Sequence, residues 1–210
     1  MTVSTARLDR GRLARKDPEK SPLILVSSIG NPSPRYDGTR HSVGHYILEK
    51  YCDTHGFNGV STLGRYEFRT DSTSPLLFYH NQGYMNVSGD NLARPWLEVM
   101  MEAESRDMNP VLVVISDELD IDVGKMKVRK QTSSARGHNG LRSIQSVIGG
   151  GYTSIKVGIG RANGSKDPDV VAKYVLSKFS PAQLEVLDGQ VMEEFSRVMD
   201  RMVRGKYIYE

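Results

Sequence analysis

The sequence predicts one α/β domain of three layers, α/β/α, with helices on both faces of a mixed, mostly parallel, twisted sheet. Two observations carry this. Apolar, β-branched runs at 23–29, 111–115 and 155–159 read as buried strands. Stretches with helical spacing fall between and after them, so strands and helices alternate along the chain. A length of 210 residues, 38% apolar and 25% charged, suits one globular domain with room for a sizeable core.

In chain order, 23–29 (LILVSSI) is the first strand, closed by Gly30-Asn31-Pro32. A polar loop then delivers Thr39, Arg40 and His41. Ser42 is placed to cap a helix running to about His55, with Val43, Tyr46, Ile47 and Tyr51 on one face. Short strands are expected at 66–69 and 76–79, and 82–89 (QGYMNVSG) reads as a loop. Ser88 or Asp90 can cap a helix to about Glu104, where Pro95 calls for a late start or a kink. Residues 111–115 (VLVVI) form the clearest central strand and end in the acidic SDELD. Residues 124–130 alternate, Lys125, Lys127 and Arg129 against Met126 and Val128, as in a strand with one basic face. A polar loop covers 131–140, a short helix 141–148 and a strand 155–159. Asp167-Pro168 opens a helix to Leu176. Ser180-Pro181 opens the last one, 182 to about 203, which carries Leu184, Leu187, Val191, Phe195 and Met199 at helical spacing. No internal repeat is present. The organisation expected is a basic extension over 1–21 followed by one domain over 22–210.

Charge is distributed unevenly. Residues 1–20 hold six basic and three acidic side chains, so this tail alone supplies the net charge of +3. The tail fits a mitochondrial presequence by its arginines and hydroxyl residues. It fits a simple extension of a cytoplasmic protein by its acids Asp9 and Asp17. Residues 123–166 contain no acid and nine bases: Lys125, Lys127, Arg129, Lys130, Arg136, Arg142, Lys156, Arg161 and Lys166. Such segregation points to a polyanion, nucleic acid first. No apolar run approaches the ~20 residues that span a bilayer, so no membrane is expected. The lone Cys52 excludes an internal disulfide and reads as a packed thiol.

Among five histidines, His41 and His138 lie in polar loops flanked by glycine, where a titrating ring can reach a substrate. Asp117 follows a central strand and can be rigidly held. Histidine plus carboxylate at two strand ends is the minimal equipment for general-base hydrolysis. Asn31, Asn86 and Asn139 each sit in a loop beside glycine or proline, and three amides could hold a water, a substrate amide and an oxyanion. A metal is the weaker reading: His41 and His45 are four apart, but Ser42 stands where the zincin pattern needs glutamate. P-loop and serine-hydrolase motifs are absent.

Taken in order, SIGNPS (28–33), TRHSVG (39–44), YMNVSG (84–89), SDELD (116–120), GHNGLRS (137–143), KVGIGR (156–161) and YVLSKFSP (174–181) resemble the bacterial-type peptidyl-tRNA hydrolases. The resemblance runs from about Leu23 to about Leu184. It implies a monomer that uses no cofactor and no metal, cleaving the ester between a peptide and the 3′-ribose of tRNA. By position it makes His41 the general base, Asp117 its support and Asn31 a further catalytic residue. It makes Tyr36, Tyr84, Met85, Asn86 and Asn139 contacts to peptide or terminal nucleotide, and Lys127, Arg129 and Arg142 contacts to tRNA. Ser33 replaces the usual glycine, and QTSSAR (131–136) resembles the eukaryotic branch. A non-catalytic RNA-binding or splicing factor on the same fold is the alternative.

Overall fold

The computed structural model describes residues 17, 19–130, 135 and 137–206. Strand β1 (Pro22–Ser28) lies in the middle of the sheet because it has no side that tolerates water: Leu23 to Ser28 are all buried. It is joined by β2 (Gly59–Leu63), β3 (Tyr66–Thr70), β4 (Leu76–His80), β5 (Asn109–Glu118), β6 (Met126–Lys130) and β7 (Thr153–Gly158), in the order β2-β3-β4-β1-β5-β7-β6. β4, β1, β5 and β7 run parallel. β3 and β2 add antiparallel strands at one edge, and β6 does so at the other. The parallel part is therefore the centre, where both faces are covered, as parallel sheets require.

The two-residue period of the strands sorts their side chains between two cores. Ile24, Val26, Val111, Val113 and Ile115 face one layer, made by α1 (Val43–Thr54), α5 (Pro181–Val186) and α6 (Met192–Val203). Leu23, Leu25, Leu112 and Val114 face the other, made by α2 (Ser88–Ser105) and α3 (Asn139–Val147). Each fully buried aliphatic side chain contributes about 1.5–3 kcal/mol, so these strands anchor everything their ends carry. Helix α1 sits very close over the ends of β1 and β5. A Cβ on Gly44 would stand 2.7 Å from the Ile115 carbonyl oxygen and 2.9 Å from that of Ile29, so only glycine fits there.

Several expectations are refined. Strand β2 was not expected; it is an exposed edge whose pattern shows no buried face, so it lacks the apolar signal of the others. Ser42 stands at the N-cap of α1, but its side chain makes no cap bond. Helix α2 begins at Ser88 and runs through a buried Pro95. Helix α3 begins at Asn139, so that residue belongs to a helix and not to the preceding loop. The expected start of α4 (Pro168–Val175) holds, with the Asp167 side chain accepting from Asp169 and Val170. The expected last helix is α5, a π-helical turn at Leu187–Val191 and α6 in succession, opened by a Ser180–Gln183 capping box.

Of the expected extension, residues 1–16 and 18 lie outside the described residues. Its end is fastened to the domain: Asn109 Nδ2 donates to the carbonyls of Asp17 (2.6 Å) and Lys20 (2.9 Å). Among the described residues no helix is long and apolar enough to cross a membrane.

Candidate active site

The carboxyl ends of β1 and β5 build the centre of the site, the position where open α/β sheets collect ligands. Asp117, the penultimate residue of β5, is 3% exposed. The chain leaving β1 loops out, returns, and sets Arg40–Ser42 as a 3-10 turn against β5. That turn brings His41 Nδ1 to 2.7 Å from Asp117 Oδ1. From α3, His138 places Nε2 2.9 Å from the same oxygen. The two rings lie 5.2 Å apart.

The tautomers follow from the hydrogen-bond partners. His138 caps α3 by accepting the Leu141 N–H on Nδ1, so its proton is on Nε2 and is donated to Asp117. His41 likewise donates from Nδ1, because a carboxylate only accepts. The difference between the rings follows. His138 has both nitrogens engaged, whereas His41 keeps the Nε2 lone pair for chemistry. Burial opposes charging His41, but the Asp117 charge and hydrogen bond outweigh it and raise its pKa above the ordinary histidine value. Burial alone would also raise the Asp117 pKa. Instead the two facing histidines hold its carboxyl well below the usual range.

One oxygen or nitrogen from each of His41, Asp117 and His138 lies within 4.8 Å of the others, a set that could surround a metal ion. The cap bond speaks against that use: ligation through His138 Nε2 would move its proton to Nδ1 and break the bond to Leu141.

The remaining expected residues divide by depth. Asn31 is buried; its Oδ1 accepts the Met85 N–H at 3.0 Å, and its own N–H donates to Ser42 Oγ at 3.1 Å. This explains the idle N-cap: the Ser42 hydroxyl serves the Asn31 loop. Met85, expected to contact substrate, is 2% exposed with its sulfur against Gly140, so its place is beneath the site, supporting the surface. Asn86 and Asn139 are exposed and line one open cleft with Asp90, Arg142, Ser143 and Ser146. Arg142 donates to Asn139 Oδ1 at 3.1 Å, so base and amide form one polar unit. Tyr36 and Tyr84 meet edge-to-face at 6.4 Å, and Tyr84 is 56% exposed. Ser33, the unusual residue of that loop, donates its hydroxyl to Asp37.

The acid-free block is less bare in space than in sequence. Lys125, Lys156 and Arg161 pair with Asp122, Glu118 and Asp120, which all lie just before the block. Lys127, Arg129 and Lys130 remain as the exposed charges of β6. Lys127 pairs with Lys156 and that residue with Ser116, so Lys127 stands two strands, about 10 Å, from the neighbour of Asp117. The loop residues 131–134 and Arg136 lie outside the described residues.

His138, one of the two loop histidines singled out in the sequence, has no assigned role there, and the structure puts it on Asp117. Histidine is not among the usual N-cap residues, so its cap on Leu141 is visible only in the structure.

A family profile described as Peptidyl-tRNA hydrolase matches residues 25–208. The peptidyl-tRNA hydrolase of Saccharomyces cerevisiae is 36% identical over 174 residues, covering 78% of this chain and 88% of the yeast protein. A probable peptidyl-tRNA hydrolase of Schizosaccharomyces pombe is 31% identical, covering 86% and 83%. The crystal structure of peptidyl-tRNA hydrolase from Acinetobacter baumannii superposes with a TM-score of 0.61 at 25% identity, covering 88% of this chain and 90% of that one.

Proposed function

The chain belongs to the peptidyl-tRNA hydrolase family, and from that premise we propose that it cleaves the ester joining a peptide to the 3′-ribose of tRNA, with His41 as general base. The observation that carries this is the shared carboxylate. Asp117 Oδ1 holds a proton from each of two rings and leaves His41 Nε2 as the one ring nitrogen of the pair able to accept another.

The steps follow from the ring's protonation. Nε2 takes a proton from water as its oxygen attacks the ester carbonyl. The imidazolium that forms is offset by the buried Asp117 charge. The tetrahedral intermediate collapses, the ribose oxygen leaves, and the proton on Nε2 passes to it. The products are a tRNA with a free hydroxyl and a peptide acid, which ionises to the carboxylate by losing its proton to solvent. An aminoacyl ester is labile enough for a positioned base, which typically contributes about 10²–10⁴-fold.

Recognition falls to the two faces around the base. Asn86 and Asn139 offer amides to the peptide from the open cleft, and Tyr36 and Tyr84 offer ring surface. Asn31 spends its oxygen on Met85, so its Nδ2 group is what it can present to substrate. Lys127, Arg129 and Arg142 meet tRNA phosphates. A blocked α-amino group suits neutral amides; a free ammonium would leave contacts unpaired at about 1–3 kcal/mol each.

Turnover of N-acetyl-aminoacyl-tRNA tests the reading. His41→Ala should lose about 10²–10⁴-fold in kcat and still bind tRNA. Unchanged turnover in that variant would sink the assignment. Neutralising Lys127 and Arg129 should weaken tRNA binding and lower the salt slope by roughly one unit per contact, whereas an unaltered slope removes them from the interface.

A further inference from the structure

The block YVLSKFSP has no part in the chemistry so far, yet the residue beside the base is buried in it. Arg40 is 8% exposed, although it carries a charge one position from His41. Its guanidinium lies between two rings, 4.5 Å from the centre of Tyr174 and 4.7 Å from that of Phe179. Nε donates to Ser177 Oγ at 3.2 Å, and one terminal nitrogen donates to Gln183 Oε1 at 3.0 Å. The other terminal nitrogen is buried with no partner among the described residues.

The backbone makes the same join. Arg40 N–H donates to the Ser177 carbonyl at 3.0 Å, Phe179 N–H donates to the Gly38 carbonyl at 3.1 Å, and Thr39 pairs with Lys178 across an isolated antiparallel bridge. The far side is tied to the sheet end, since the Tyr174 hydroxyl donates to the Ile159 carbonyl at 2.6 Å. The turn that carries His41 is thus gripped from outside by 174–183. From inside it is met by the groups that face the His41 ring, Asp117 on β5 and His138 at the start of α3.

We propose that Arg40 is a positioning residue for the hydrolysis: stacked between Tyr174 and Phe179, it fixes the 38–41 backbone so that His41 Nδ1 stays on Asp117 and Nε2 faces the substrate. A purely structural residue at this point would be better served by an apolar side chain, which would leave no buried donor unpaired. The planar guanidinium does what an apolar chain cannot. It fills the slot between the rings and fastens Ser177 and Gln183 in one plane, which sets the direction of the turn as well as its burial.

The inference rests on the hydrolase reading, and the test keeps the two apart. Wild type, Arg40→Ala and Arg40→Lys are compared by kcat and KM on N-acetyl-aminoacyl-tRNA and by NMR titration of the His41 ring, assigned with His41→Ala. Both variants should lose about 10-fold to 10²-fold in kcat, as misplacement of a reacting group does, with KM within about threefold of wild type. The His41 titration should move down, because the ring leaves the charge that raises it. Added guanidinium ion should restore part of kcat in Arg40→Ala, where a slot is vacant, and none in Arg40→Lys. Wild-type kcat in either variant, a loss confined to KM, or a lowered kcat with His41 titrating as before would each overturn the proposal. Arg40→Lys keeps charge and most of the volume, so it carries the test if Arg40→Ala does not fold. Should wild type itself fail to hydrolyse, the functional reading falls; the titration needs no substrate and still decides what Arg40 does.

Discussion

Two histidine pairs sit near the same strand ends and behave oppositely. His41 and His138 share Asp117 at 2.7 and 2.9 Å, each pointing an N–H at the carboxylate. His45 and His80 instead stack face to face at 3.8 Å. The carboxylate of the second pair, Glu49, is bonded to His80 on the solvent side. His45 is left with the Ser28 hydroxyl at 2.7 Å and a buried Nε2 that has no partner among the described residues. Burial and the neighbouring His80 push its pKa down to about 3, whereas the His41 pKa is raised despite burial. Proximity of two imidazoles therefore decides nothing. A buried negative charge within hydrogen-bond reach raises the pKa of one ring, and its absence leaves the other a neutral packing element.

Removing the shared charge is the severest way to break this contrast. Asp117→Asn should cost about 10²–10⁴-fold in turnover, since an amide neither offsets the imidazolium nor enforces the tautomer. The pH dependence gives the sign. A histidine base must be neutral, so wild-type activity should fall as pH drops through a value above the ordinary histidine pKa of about 6.5. In Asp117→Asn that acid limb should move down. A pH–rate profile that keeps its wild-type limb would show that Asp117 does not set the His41 pKa.

The second pair predicts a steric effect of intermediate size. A Cβ on Gly30 would stand 2.3 Å from His45 Cδ2, and Gly30 precedes Asn31. Gly30→Ala should push the Asn31 loop aside and cost about tenfold in kcat. Adding His45→Ala should recover most of it, because the obstructing ring is gone. Losses that simply multiply in the double variant would mean the ring and the loop are not coupled.

The smallest effect is on stability. His45 titrates near 3 folded and near 6.5 unfolded, so between those values the unfolded chain binds the extra proton. Stability therefore falls as pH drops through that window, by up to about 1.4 kcal/mol per pH unit from this ring. His45→Phe should flatten the urea-midpoint profile between pH 7 and 4 relative to wild type. Parallel profiles would mean that His45 is not held neutral by the fold.

Much of the architecture is written locally. The strands at 23–29, 111–115 and 155–159 are legible because full burial selects continuous apolar runs. The helix at 168 and the last helix are legible because Asp167 and Ser180 cap them through bonds spanning two or three residues. β2 is not legible, because an exposed edge strand needs no apolar pattern and is held by antiparallel pairing with β3. The candidacy of His41, Asp117 and the three asparagines is also local: residue type, glycine or proline nearby, and position after a strand. Their depth is not. Asn31 and Met85 turn inward and Asn86 and Asn139 outward according to how the 3-10 turn at Met85–Val87 and α3 pack, and no spacing encodes that.

By itself, then, the sequence determined the alternating α/β pattern, the caps at Asp167 and Ser180, the basic strand and which residue types could do hydrolysis. The tertiary structure alone decided which histidines meet a buried carboxylate and which of their ring nitrogens stays free. His41 and His138 lie in similar polar, glycine-flanked loops, and His45 is only four residues from His41. What separates them is a carboxylate 76 residues away from His41 and 21 from His138. It also decided the proton pattern, through the Leu141 N–H that occupies His138 Nδ1. Electrostatic and hydrogen-bond energies depend on distance through space, and only folding brings these groups within 3 Å of one another.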